Sequence, residues 1–346
     1  MSNEQLDLFA AADDEPDEPA RRPQAVTLRP APEPLPAAAA SPPVVPEKPQ
    51  TPRYATFAGK DPKQAALDIG EAVAYAWHSH NGYGIEVPIG VVAALSLFPV
   101  GRDDAPLVAG YLLNLDDTQL WGTMRETWAY WWLRHPHLVD RASILAKWTE
   151  EDEPDRSRIQ AVRAVAHAAI RAGLIDLTSE RGPWVDVLSW VVTLLRSQGA
   201  RQGLGEYHTP PEVAELMARM SLGDLSDLKP GMRLTDPAAG TGGLMRAAAM
   251  ILDERGVDPA EFGWQMNDVD PIAAAGCAVN AMLWGLGDDV VVSCGDVLAD
   301  PGAVERAYED RRAIREHRDR MVRVGVMAAA VRGAERLIAS ATEKAA

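Results

Sequence analysis

The chain has 346 residues, a formal net charge of −16 and 47% apolar residues, enough for a sizeable core and two domains. Its two cysteines, Cys277 and Cys294, exclude a disulfide framework and fit a reducing cytosol. No cationic leader followed by an apolar run opens the chain and no apolar run is long enough to span a bilayer, so a cytoplasmic protein without membrane contact is expected. The acidic balance also excludes the broad basic footprint of a nucleic-acid binder, so any such contact must be local or supplied by a partner.

Residues 1–53 read as a disordered tail. Acids cluster from Asp13 to Glu18 and Pro and Ala dominate from Pro30 to Pro52, which leaves too little apolar surface to offset the entropy of ordering. Proline content makes the segment a semi-extended spacer. One island, Gln5-Leu-Asp-Leu-Phe9, has the look of a docking peptide and resembles the pentapeptide by which bacterial replication and repair proteins bind the sliding clamp. A chance apolar cluster in a flexible terminus is the other reading.

Residues 54–198 read as a helical domain. Helices are expected over Pro62–His78 after the cap Asp61, over Ile85–Phe98 up to Pro99, and over Asp117–Arg134, Arg156–Ala172 and Trp184–Arg196, a bundle of five or six. The Asp117 helix carries Leu120, Trp121, Met124, Trp128, Trp131 and Trp132. A tryptophan stripe can stack bases, but helical spacing on one face points to core. His135 and His137 flank Pro136 and read as a helix end, because no carboxylate or cysteine stands at a ligand spacing from them; no metal site is expected.

From residue 199 the pattern changes, and one stretch organises it: Leu234-Thr-Asp-Pro-Ala-Ala-Gly-Thr-Gly-Gly-Leu-Met245. It reads as a short strand ending in Asp236, a turn with Gly240, Thr241, Gly242 and Gly243, then a helix from Leu244 to Asp253. Glycines let the backbone approach a ligand, and the helix aims free N–H groups at it. The third glycine of a dinucleotide loop is missing, Met245 standing there, and no lysine lies between Lys229 and Lys344 to make a phosphate-binding loop. Asp236 therefore suits a ligand with a cation or free ammonium.

Asp236-Pro-Ala-Ala-Gly-Thr-Gly-Gly243 resembles the S-adenosylmethionine motif of adenine-specific DNA methyltransferases, most of all the modification subunits of type I restriction systems. Gly205-Glu-Tyr-His-Thr-Pro-Pro211 is similar to the segment that precedes the cofactor loop in those subunits, which implies cofactor contacts for Glu206, Tyr207, His208, Thr209 and Pro210. Thr209 and Glu212 also read as a capping box with Pro210 at the first helical position. Phe262–Asp268 is the next strand. A carboxylate at its end suits ribose hydroxyls, a role the resemblance gives to Asp268, with Asp270 as an alternative. Pro271–Trp284 is a helix, and Asn280-Ala-Met-Leu-Trp-Gly285 is similar to the family's ending of that helix. Val290–Asp296 is a third strand whose Asp296 would face the adenine amino group. The alternative, three ordinary strand-end caps, does not account for their βαβ spacing.

The resemblance stops where chemistry would begin. Adenine methylation needs Asn/Asp/Ser-Pro-Pro-aromatic, a polar group and a carbonyl that draw on the amine protons and a ring that stacks on the flipped base. No such tetrapeptide occurs: Ser41-Pro-Pro-Val44 lacks the aromatic residue, and Thr209-Pro-Pro211 belongs to the upstream segment. No catalytic residue is therefore assigned, and no fourth to seventh strand is visible. The expected fold is α/β, a helical bundle followed by a truncated, doubly wound, Rossmann-like methyltransferase domain over 199–300. Residues 301–346 form an Arg-rich helical tail; between positions 311 and 336 eight arginines face three acids. That balance reads either as a nucleic-acid or acidic-partner surface or as a solvated helix with arginines paired along its face. The resemblance implies a cytoplasmic DNA-modification protein that binds S-adenosylmethionine and DNA, directly or through a second methyltransferase or specificity subunit. A catalytically silent, cofactor-binding regulatory protein is the alternative.

Overall fold

The computed structural model describes residues 61–80, 84–151, 154–179, 184–196, 209–223, 228–300 and 302–345. All belong to one compact unit, Gln50–Ala346; the other unit, Met1–Pro49, and with it Gln5–Phe9, lies outside the described residues. In the helical half, aspartates start four of the helices by accepting a hydrogen bond from a first-turn backbone N–H. Asp61 does so for α1 (Pro62–Ser79), Asp116 for α4 (Asp117–Arg134), Asp155 for α7 (Arg156–Arg171) and Asp186 for α9 (Val187–Leu195). At α4 the cap is a reciprocal box with Gln119. Between them lie α2 (Glu86–Ser96), α3 (Ala105–Asn114), α5 (Pro136–Arg141), α6 (Ser143–Ala146) and α8 (Leu174–Thr178).

The bundle is richer than expected: α3 and the short α5, α6 and α8 were not legible. α1 packs on α7 and α9, and α2 on α6 and α7. Gly90 in α2 permits that approach, since a Cβ there would lie 2.0 Å from the Leu145 carbonyl oxygen. The tryptophan stripe is largely core, with Trp121 and Trp128 buried and Trp131 and Trp132 partly so. Trp121 meets Trp148 edge-on at 4.9 Å and donates to the Thr149 carbonyl, while Trp131 donates to Leu97. His135 closes α4 and opens α5, as expected of a helix end.

The second half builds α10 (Pro211–Leu222), β1 (Arg233–Asp236), α11 (Gly243–Glu254), β2 (Gly263–Asp268), α12 (Pro271–Leu283), β3 (Val290–Cys294) and α13 (Ala303–Ala345). The strands form a parallel sheet in the order β1-β2-β3, with Arg233 opposite Gly263 and Trp264 opposite Val290. This is the truncated α/β fold expected, with three strands among the described residues. One local expectation fails: α10 begins at Pro211 with Pro210 as its cap residue and no side-chain cap bond. Glu212 instead accepts from Lys63 of α1 at 2.8 Å, so the capping box gives way to a tie between halves. α12 is buried from Ala273 to Met282. Its run of small residues lets it sit between the sheet and α2, α5, α6 and α9.

The sheet has one closed edge. His137 and Arg141, one turn apart on α5, lie against the outward carbonyls of β3: His137 Nε2 is 3.0 Å from Val290 O and Arg141 Nε donates to Val292 O at 3.0 Å. α13 also packs on β3 and α5. On this side an otherwise unpaired strand edge is satisfied by side chains. The arginines of α13 pair mainly across the fold rather than along the helix, Arg311 with Asp289 at 2.6 Å and Arg315 with Asp288. From Arg320 to Arg336 the helix is exposed almost all round, Met321, Val324 and Met327 included. No helix among the described residues is long and apolar enough to cross a membrane.

Burial, reinforced by Arg311 and Arg315, lowers the pKa of His137 to about 3, so its ring is neutral and donates through Nε2. A depressed histidine contributes stability that is complete above its unfolded value near 6.5 and is lost as pH falls toward the folded value. Urea denaturation at pH 7 and pH 5 should show a loss of stability, and His137→Gln should reduce that loss by about 2 kcal/mol. An unchanged pH dependence in the variant would remove His137 from the account. His167, lowered to about 4 by burial, keeps its share of the loss in both proteins.

Candidate cofactor site

A cavity of about 280 Å³ opens outside the carboxyl ends of β1 and β2, and Thr209, Asp236, Gly240, Thr241, Asp268 and Arg196 are among its lining residues. Its floor is the glycine loop. Gly240 and Gly242 adopt φ of 57° and 99°, the left-handed region that favours glycine, and a Cβ on Gly242 would meet Trp284 at 3.1 Å. The loop is clipped to the tip of β2: Ala239 N–H donates to Asn267 O at 2.8 Å, and Gly240 N–H donates to Asp268 Oδ2 at 2.7 Å. Asp268 Oδ1 accepts from Asp270 N. Asp268 thus shapes the loop as well as lining the cavity.

Asp236 ends β1 almost fully buried. Its Oδ1 accepts from Ala238 N at 3.0 Å, while Oδ2 is buried without a hydrogen-bond partner. Burial first, then the neighbouring Asp268, raises its pKa. A buried carboxylate oxygen without a donor is costly, and a ligand ammonium or N–H group in the cavity would relieve that cost.

Four further residues escaped the sequence reading. Asp186, the cap of α9, accepts from Thr241 Oγ1 at 2.5 Å and from Asn280 Nδ2 at 2.8 Å. Asn280 also donates to Thr241 O at 2.9 Å, so one carboxylate ties the helical half to the glycine loop and to α12. Ser189 and Thr193 of α9 line the cavity wall. Arg196 is buried there and ion-paired with Asp270. Asp270, the alternative ribose ligand, is the N-cap of α12, accepting from Ile272 and Ala273, and also lines the cavity.

The remaining expected residues divide. Thr209 and Gly243 line the cavity, Gly242 makes its turn, and Pro210 opens α10. Asp296 is not among the lining residues; it is exposed and accepts from Leu298 and Ala299 in the turn after β3. Glu206, Tyr207 and His208 lie outside the described residues. Among the described residues, no group of three or more His, Cys, Asp or Glu is placed to hold a metal.

Residues 186–313 match the model of the family described as N-6 DNA Methylase. No curated protein matches the chain. Among solved structures, the methyltransferase subunit of a type I restriction-modification system from Streptococcus thermophilus is similar at 16% identity and a TM-score of 0.39, over 68% of this chain and 59% of that one. The chain thus spans less than two thirds of that subunit. The family match begins at Asp186 and takes in the glycine loop, all three strands and the start of α13, so this segment of the chain is similar to the N-6 DNA methylase family.

Proposed function

We propose that the cavity binds S-adenosylmethionine and that the chain is the cofactor-holding part of an adenine-specific DNA methyltransferase. The observation that carries this reading is the unpartnered Asp236 Oδ2, buried beside a glycine loop outside the carboxyl ends of parallel strands. A ligand that presents an ammonium next to a sulfonium fits this donor set, because the cavity offers carboxylates at Asp236 and Asp268 and backbone at Gly240. When bound, such a cofactor supplies an electrophilic methyl group. The chain's own residues bind and orient it: Asp236 takes the charged end, the loop sets the distance of closest approach, and Asp268 stands at the tip of β2 where hydroxyls can be held.

The groups that would hold a target amine are not assigned within this chain. The amino group of adenine is neutral and its lone pair is delocalised, so its protons must be drawn off as it attacks. The sequence holds no Asn/Asp/Ser-Pro-Pro-aromatic to do this. The reading therefore includes a second polypeptide that supplies those groups, and DNA reaches the site through it or through a local surface. That same absence favours a second reading, a cofactor-binding regulatory protein that never transfers a methyl group. The peptide Gln5–Phe9 is proposed as a clamp-binding tether, independent of either reading.

Isothermal titration of the folded protein with S-adenosylmethionine should give saturable heat. Asp236→Asn, which places an amide beside the ligand's cation, should weaken binding by about 1–3 kcal/mol. Absence of heat at millimolar ligand would contradict the reading. Burial holds the Asp236 pKa above the usual carboxylate range, so affinity should also fall as pH is lowered through that raised value and the carboxylate is neutralised.

Incubated alone with labelled cofactor and mixed-sequence DNA, the chain should transfer no methyl group to adenine. Robust transfer would show that groups within this chain hold the target amine, and that no second polypeptide is required.

A further inference from the structure

The two edges of the sheet are treated differently. The β3 edge is covered by α5 and α13, and its outward carbonyls are taken by His137 and Arg141. On the other side, no strand among the described residues pairs with β1. Gly263 N–H donates to Met232 O, so by the two-residue alternation of a strand the backbone groups of Arg233 and Thr235 point away from β2. Both residues are exposed. Parallel strands are normally buried within their sheet, and a bare edge of this kind is a template for another strand.

An apolar surface stands beside that edge. α12 covers β2 and β3, α11 packs on β1, and α10 packs on α11, so the helical layer continues past the last strand. α10 buries Ala214, Ala218 and Leu222 and exposes Val213, Leu216, Met217 and Met220 at 44–75%. The exposed set follows i, i+3, i+4, i+7, the spacing of a packing face. Met232, just before β1, adds to it at 44% exposure. A helix with two apolar stripes is built to be covered twice.

The topology says what covers it. Both crossovers step the same way, from β1 to β2 to β3. A doubly wound sheet places its ligand where the strand order reverses, outside the carboxyl ends. The cavity lies at the ends of β1 and β2, so the reversal falls on the free side of β1. We propose that the open edge of β1 and the exposed stripe of α10 dock a second polypeptide, which adds a parallel strand beside β1, slides its apolar face under α10, and brings the groups that hold the target amine to the cavity. This rests on the proposed function and gives it a surface. A strand laid parallel to β1 ends beside Asp236, the place from which a methyl-accepting amine has to be presented.

The test co-expresses the full chain with a polypeptide of the same host that carries Asn/Asp/Ser-Pro-Pro-aromatic after a strand and lacks an acid-tipped glycine loop. Size-exclusion chromatography with light scattering should show a one-to-one complex, with slowed amide exchange at Arg233 and Thr235. Leu216→Asp and Thr235→Pro should each weaken it about tenfold or more. Proline removes only an outward N–H and is tolerated on an edge strand, and unchanged cofactor binding by each variant alone verifies its fold. A complex that responds to both variants but transfers no methyl group supports the docking and overturns only the catalytic reading. No complex, a complex indifferent to both variants, or a dimer of the chain itself that Leu216→Asp dissolves would overturn the docking proposal.

Discussion

Asp186 is a single carboxylate on which the two halves of this protein converge. It starts α9 by accepting from Ser189 N–H, fixes the glycine loop through Thr241, and holds Asn280 on the buried face of α12. Each of these bonds has a charged acceptor, which makes it stronger than a neutral pair. Around it the fold has little slack, because α12 is buried on every side and Gly242 lies against Trp284 and Cys277. The geometry of the cavity floor is therefore set from the helical half as much as from the sheet. That is why the helical region is more than an appendage to the sheet.

The site holds a graded set of acids. Asp186 and Asp270 are used up by structure, Asp268 divides its oxygens between the loop and the start of α12, and Asp236 keeps one oxygen unpartnered. Burial raises the Asp236 pKa and the nearby Asp268 adds to the shift. The cost of an unsolvated carboxylate is one that a ligand would offset, and this oxygen belongs to a residue that lines the cavity. Arg196, buried against Asp270, keeps the rest of the wall from accumulating negative charge.

Much of this was legible in the sequence because the signals are local. Asp236, the glycines of 240–243 and the strand ends at Asp268 and near Asp296 stand at βαβ spacing, and the cap Asp61 announced the start of α1. Asp186 was expected inside a helix starting at Trp184, neither as the cap of α9 nor as the partner of Thr241 and Asn280, which lie 55 and 94 residues away in sequence. Nothing in a local pattern records such a contact. α3 was missed because its apolar and polar positions do not divide into a clear stripe, and α5 because six residues carry too little periodicity. The role of α5 in closing β3 depends on His137 and Arg141 meeting carbonyls more than 150 residues on. Asp296 fits the spacing but folds back on its own turn, a competition between local capping and ligand contact that spacing alone does not decide.

The central claim is that the cavity is a ligand site whose floor is held from the helical half. Asp186→Ala tests it most directly, read by amide hydrogen exchange over residues 238–244 and by titration with S-adenosylmethionine. With circular dichroism showing unchanged helix content, the account predicts faster exchange of the glycine-loop amides and an affinity lower by about tenfold or more, the consequence of leaving Thr241 and Asn280 without their acceptor. Glycine-loop protection and cofactor affinity equal to those of the unaltered protein would contradict it.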